Sequence, residues 1–127
     1  MGPSTIPSLS PAGTPESAEV ARSVDDGVVM RVHRVRTEFV VAACDADLIG
    51  RDLPVGEKGR TVKVTSQFYG ERRVTREELL WALERATIAN LLGERVLRLA
   101  AEGGFVTREG TGTLGGVPHA EIFSMSA

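Results

Sequence analysis

Hydrophobic and polar positions alternate from Val28 onward, with Val28, Met30 and Val32 on one side and Arg31 and His33 on the other. That is the period of a half-buried strand. After Arg36 and Thr37 the alternation gives way to a near-continuous apolar run, Phe39 to Cys44, which reads as a central strand covered on both faces. The short link makes the pair a hairpin. Asp45 is placed to cap one or two turns through Leu48 and Ile49, with Gly50 ending them. Arg51 to Gly59 forms a polar turn region around Pro54 and Gly56. Thr61, Lys63 and Thr65 then alternate with Val62 and Val64, which predicts a third strand with one wet face, in one sheet with the hairpin and the last strand.

The strongest local signal comes next along the chain. Thr75 with Glu78 three residues on has the form of a capping box, and Val74 and Leu79 hold the two positions of a hydrophobic staple, so a helix begins at Arg76. Gly103 is placed to end the helical region in a left-handed cap. Between these limits the apolar stripe changes face. Leu79, Leu80, Leu83 and Ala86 share one side of the wheel, whereas Ile88, Leu92, Val96 and Leu99 lie on the other. A helix break near Thr87 accounts for this, with Thr87 capping the second half. A glycine-rich loop through Gly110, Gly112, Gly115 and Gly116 leads to a last strand from Val117 to Phe123, and no internal repeat is present.

Before Val28 the pattern is of another kind. Pro3, Pro7, Pro11 and Pro15 recur every four residues among Ser, Thr, Gly and Ala, a segment that cannot bury enough apolar surface to offset its ordering entropy. Residues 1–27 therefore read as a disordered tail and 28–124 as one α+β domain, with Met30 as an alternative start. The 127-residue length suits that single domain. No apolar run approaches the ~20 residues of a membrane-spanning helix, and the start lacks the pattern of a secretory signal. A single cysteine, Cys44, allows no internal disulfide, so a reduced, cytoplasmic protein is expected.

Charge separates the two parts. The overall −2 hides a tail in which Glu16, Glu19, Asp25 and Asp26 face only Arg22, so the rest of the chain is nearly balanced. Arg greatly outnumbers Lys, which occurs only at Lys58 and Lys63; this suits bidentate phosphate contacts but is also expected from coding bias or growth at high temperature.

Few residue clusters carry chemistry. GTGTLG at Gly110 to Gly115 matches a dinucleotide fingerprint in form, but it follows a helix and leads into a strand, the reverse of the required context. Cys44 and His119 have the residue types of a thiol–imidazole pair, with Asp45 or Asp47 to orient the base, but Cys44 at the end of a buried strand reads first as a small core side chain. Asn90 and Glu94, one helical turn apart with Arg95 adjacent, form either a binding constellation or a structural cluster. Phe68 and Tyr69 before Gly70 offer an aromatic platform or a lid over the sheet edge. The turn Gly115 to Pro118 fixes its own direction and presents His119 on the face of the last strand opposite Ala120 and Ile122, so His119 is expected beside Asn90, Glu94 and Arg95 in one polar site. No metal-ligand spacing and no cofactor motif is found, and no catalytic residue is assigned.

Taken together, VAACDADLIG at Val41 to Gly50, FYG at Phe68 to Gly70, ATIANLLGER at Ala86 to Arg95 and GGVPHAEI at Gly115 to Ile122 resemble an archaeal family of small proteins, domain of unknown function 424. The resemblance implies a two-layer α-β sandwich, a mostly antiparallel sheet with helices packed on one face, and names no cofactor or catalytic residue. Its matching positions make Asn90, Glu94, Arg95, His119, Tyr69 and Cys44 candidate binding residues and carry over Asp45, with Gly50, Gly70, Gly93, Gly116 and Pro118 as structural ones beside Thr75, Glu78 and Gly103, which the helix signals supply. The family's genes often neighbour those of translation and ribosome biogenesis, which places a non-enzymatic factor docking on RNA or a ribonucleoprotein first. Arg31, Arg34, Arg36, Arg72, Arg73 and Arg76 would supply phosphate contacts. A small enzyme using His119 with Cys44 or Glu94, and a purely protein-binding module, are the alternatives. No membrane partner is expected, and the sequence specifies no oligomeric state.

Overall fold

Twelve short elements succeed one another in the computed structural model, which describes residues 26–107 and 109–124. The alternating segment is β1 (Val28–Val35) and the apolar run is β2 (Glu38–Asp45), paired antiparallel from Val28 with Asp45 to Val35 with Glu38. A 3-10 turn (Ala46–Leu48), β3 (Asp52–Val55), β4 (Arg60–Lys63), α1 (Ser66–Tyr69) and β5 (Arg73–Val74) come next. The chain closes with α2 (Arg76–Arg85), β6 (Ile88–Leu92), α3 (Glu94–Glu102), β7 (Gly112–Leu114) and β8 (Val117–Phe123). Most of the expected tail, residues 1–25, lies outside the described residues. Its last two positions are held in place: the Asp26 carboxylate accepts from the Arg76 N–H at 3.1 Å, and the Gly27 carbonyl accepts from the Ala46 N–H at 2.7 Å.

The expected α+β sandwich is present, built on a six-stranded sheet of order β5-β1-β2-β6-β8-β7 in which only β2 and β6 run parallel. Its membership corrects the sequence reading. The Val62 strand, expected in this sheet, pairs instead with β3 in a separate two-stranded ribbon, so the polar turn region of Arg51 to Gly59 contains a strand through Pro54. The helix does break at Thr87, but the next element is a strand and not a second helix. Ile88–Leu92 is central in the sheet, with Ala89 and Leu91 buried on the helix side and Leu92 on the other. The change of phase in the apolar stripe marks a strand inserted between two helices. Thr87 caps nothing; its hydroxyl accepts from the Phe39 N–H at 2.8 Å and ties the start of β6 to β2.

Alternation divides the sheet into two faces. Val28, Met30, Val41, Ala43, Ala89, Leu91 and Ala120 face α2 and α3 and form the larger core with Leu79, Leu83, Val96 and Ala100. The opposite face buries Val29, Ala42, Cys44 and Leu92 beneath Leu48 of the 3-10 turn, Leu53 of β3, Val64 just after β4 and Tyr69 of α1. The capping box is as expected: Thr75 Oγ1 accepts from the Glu78 N–H at 3.1 Å, and Glu78 accepts from the Thr75 N–H at 2.8 Å. Burial opposes the charge on Glu78, but the Thr75 N–H and the Arg72 guanidinium outweigh it and hold the carboxyl below its usual range. At the far end Gly103 terminates α3 with φ −84°, not in the left-handed cap expected of it; Gly104, at φ +83°, takes that position. Gly103 is small for another reason, since a Cβ there would strike the Leu80 side chain. Among the described residues no helix is long and apolar enough to cross a membrane.

Candidate functional site

Two polar centres lie along the sheet, and the residues expected to share one site are divided between them. The first is a corner where β2 and β6 end side by side. Asp45, only 5% exposed, makes no side-chain cap to its own 3-10 turn. Its carboxylate reaches across to α3, accepting from the Arg95 N–H at 3.0 Å and the Val96 N–H at 2.9 Å. The N-cap residue of α3, Gly93, has no side chain, and Asp45 supplies the cap from 50 residues away in sequence, placed against the positive end of the helix dipole. Gly93, at φ +123°, turns the chain from β6 into α3, and a Cβ there would run into the Asp45 carboxylate. The Gly93 N–H donates to the Pro118 carbonyl at 2.8 Å, which draws the Gly115 to Pro118 turn into the same corner. Arg95 lies over this arrangement, its guanidinium 3.8 Å from Asp45 and 3.6 Å from Asp47.

The second centre is on the sheet face opposite α2 and α3. Pairing registers place its outward residues in rows: Val29, Cys44, Leu92 and His119; then Arg31, Ala42, Asn90 and Glu121; then His33, Val40, Ile88 and Phe123. Tyr69 crosses from α1 and donates its hydroxyl to Asn90 Oδ1 at 2.9 Å, while His119 Nε2 lies 3.3 Å from the same oxygen. Asn90 Nδ2 donates to Glu121 Oε2 at 3.4 Å. Since Oδ1 can only accept, the network assigns the hydrogen to His119 Nε2. Burial, reinforced by the neighbouring Cys44 and Glu121, pushes the Tyr69 hydroxyl up to about 12, so it remains a donor at neutral pH. At the β1 end of the face His33 stacks on Phe68 with ring centroids 5.4 Å apart, and its Nε2 bonds the Phe68 carbonyl at 2.8 Å.

Several sequence expectations change here. Asn90 is on a strand, not one helical turn from Glu94, and it meets His119 and Tyr69 but not Arg95. Glu94 lines a cleft of about 550 Å³ with Arg98, Gly116 and Pro118. Cys44 is fully buried, with Leu92 between it and His119 in the row. Burial and, secondarily, the Asp45 and Asp47 charges push its thiol up to about 12, so it packs as a small apolar side chain. The candidate phosphate contacts do not form one patch. Arg31 donates to the Gln67 carbonyl, Arg34 lies over the Phe39 ring, Arg72 pairs with Glu78 at 2.7 Å and Arg76 with Glu102 at 3.4 Å. Arg36 occupies the β1–β2 turn, and Arg73 lines a second cleft of about 510 Å³ with Arg95 and Arg98. The GTGTLG segment belongs to the β7–β8 hairpin. Alternation along β8 aligns Glu121 with His119 from the sequence alone and extends to Phe123, which sequence reasoning, like the reach of Asp45, does not single out. No group of three or more His, Cys, Asp or Glu among the described residues is arranged to hold a metal ion.

The family model for proteins of unknown function DUF424 matches residues 33–125, a span that includes both centres. The chain belongs to this family. Its fold is similar to the crystal structure of an uncharacterized conserved protein from Methanopyrus kandleri, with a TM-score of 0.65 and 26% identity over 79% of this chain and 96% of that one. Among curated proteins none matches. Within this DUF424 chain the four sequence motifs acquire distinct physical duties. VAACDADLIG and ATIANLLGER meet through Asp45 and Gly93, whereas FYG and GGVPHAEI meet through Tyr69, Asn90 and His119.

Proposed function

We propose that this protein is a non-enzymatic factor that docks single-stranded RNA, alone or in a ribonucleoprotein, on the open part of the sheet face. The observation that carries this reading is the outermost row, His33, Val40, Ile88 and Phe123, which belongs to neither hydrophobic core. Phe123 is 61% exposed and Phe68 37% exposed, so planar groups flank a floor of aliphatic and amide side chains. From β1 to β8 the face is about 14 Å wide at the usual strand spacing, enough for an extended strand of nucleotides. Splayed bases stack on exposed aromatic rings of such sheets and present their edges to neighbouring polar groups. Arg31 and Arg36 stand at the β1 end, where phosphates would run. Translation or ribosome assembly, in a reducing cytoplasm, is the setting in which such a factor would act.

Fluorescence anisotropy with a labelled eight-nucleotide oligouridine tests the proposal. Saturable binding at low salt is expected, with log K falling linearly against log salt at roughly −0.7 per phosphate contact. Phe123→Ala should weaken it about tenfold, the effect of losing one stacked base. Absence of saturable binding to single-stranded RNA at low salt would overturn the reading.

A further inference from the structure

Glu121 is the residue an RNA-docking face should not need. An ionised carboxylate among exposed aromatic rings repels phosphates, and accepting hydrogen bonds from the docked molecule is a role that offsets this cost. Resting on the proposed RNA docking, we infer that this face prefers guanine and that Glu121 reads it. Asn90 Nδ2 holds Glu121 Oε2 at 3.4 Å, which fixes the carboxylate beside the network, and among the described residues Oε1 has no hydrogen-bond donor. Asn90 is itself fixed, because its Oδ1 is engaged by Tyr69 and His119. Phe123 is two residues further along the same strand face, about 7 Å away by strand geometry. A base stacked on the Phe123 ring therefore brings its edge to Glu121.

The base preference arises from donor patterns. Guanine carries two adjacent donors, N1–H and N2–H, on its Watson–Crick edge, and the two oxygens of a carboxylate match them. Adenine and cytosine each place a ring acceptor beside their single amino donor, and that acceptor would face the carboxylate. Uracil flanks its one N–H with two carbonyl oxygens. Only guanine makes the bidentate contact without a repulsive neighbour.

The experiment compares the full chain against four labelled RNAs, UUUUGUUU and the same octamer with A, C or U at the fifth position. The G-containing RNA should bind about tenfold tighter than the others, the scale of one bidentate base contact. Glu121→Gln should remove that preference and leave the other three RNAs bound as tightly or tighter, since it also removes a charge that repels phosphates, with the thermal midpoint unchanged. Phe123→Ala should weaken all four. Equal binding of the four RNAs, or a preference that persists in Glu121→Gln, overturns the guanine assignment while RNA docking stands. Binding to none of them overturns both.

Discussion

The two polar centres use the same kinds of residue to opposite ends. At the corner, Asp45 is buried with both oxygens engaged by helix N–H groups, and Gly93 leaves no space beside it. On the sheet face, Asn90, His119 and Glu121 bond one another but remain half-buried or exposed, bordered by a ring with most of its surface in water. A polar group sealed among its partners acts on stability. One that keeps unused hydrogen-bonding capacity at the surface is available to a ligand.

Mutations at the corner should break this contrast most severely. Gly93→Ala forces a side chain into a left-handed backbone and into the Asp45 carboxylate at once, so a loss of at least about 3 kcal/mol, or failure to fold, is expected in urea unfolding. Asp45→Ala strands the N–H groups of Arg95 and Val96 and should cost about 2–4 kcal/mol, without any change specific to RNA binding. A loss below about 1 kcal/mol for either would show that the corner is not sealed as described.

A smaller effect is expected where the face joins the core. Tyr69 is the only tyrosine, so absorbance of tyrosinate reports this site alone. In the folded chain the midpoint should be near 12, against about 10 when unfolded. Because folding raises this pKa, the associated stability is complete below about pH 10 and is lost as pH rises towards 12. Tyr69→Phe should cost about 1 kcal/mol through the lost hydroxyl bond to Asn90. A folded-state midpoint near 10 would place the hydroxyl in water and dissolve the network. Smallest of all, Phe123→Ala should shift stability by no more than about 0.5 kcal/mol, because its ring covers little of the core. A larger loss would return that ring to the fold and remove it from the docking face.

Local signals are legible in the sequence, long-range ones are not. Thr75 and Glu78 announce their helix because both partners of the cap are within one turn, and the β1–β2 hairpin is legible from alternation across a short link. Ile88–Leu92 is opaque, since Ile, Ala, Asn and Leu suit a helix as readily as a strand, and only the open edge of β2 decides. The Val62 strand is legible as a strand, but not its partner, which contains a proline, nor the exposure of Val62 where the period predicts a covered face. Of the face, Tyr69, Asn90 and His119 can be named from sequence. Their separation from Arg95 cannot, because it depends on β6 being a strand.

The single parallel pair in the sheet bears on how the chain comes into being. The β1–β2 hairpin needs only neighbouring residues, but β2 gains its second partner only after residues 46–87 have been made and folded back. Contacts of such sequence separation form slowly. During synthesis the edge of an almost wholly apolar strand, Val40 to Cys44, therefore waits unpaired, the sort of edge through which nascent chains join one another. Arg34 and Arg36, where β1 turns into β2, put positive charge at one end of that hairpin during the wait, and like charge on two growing chains works against their joining.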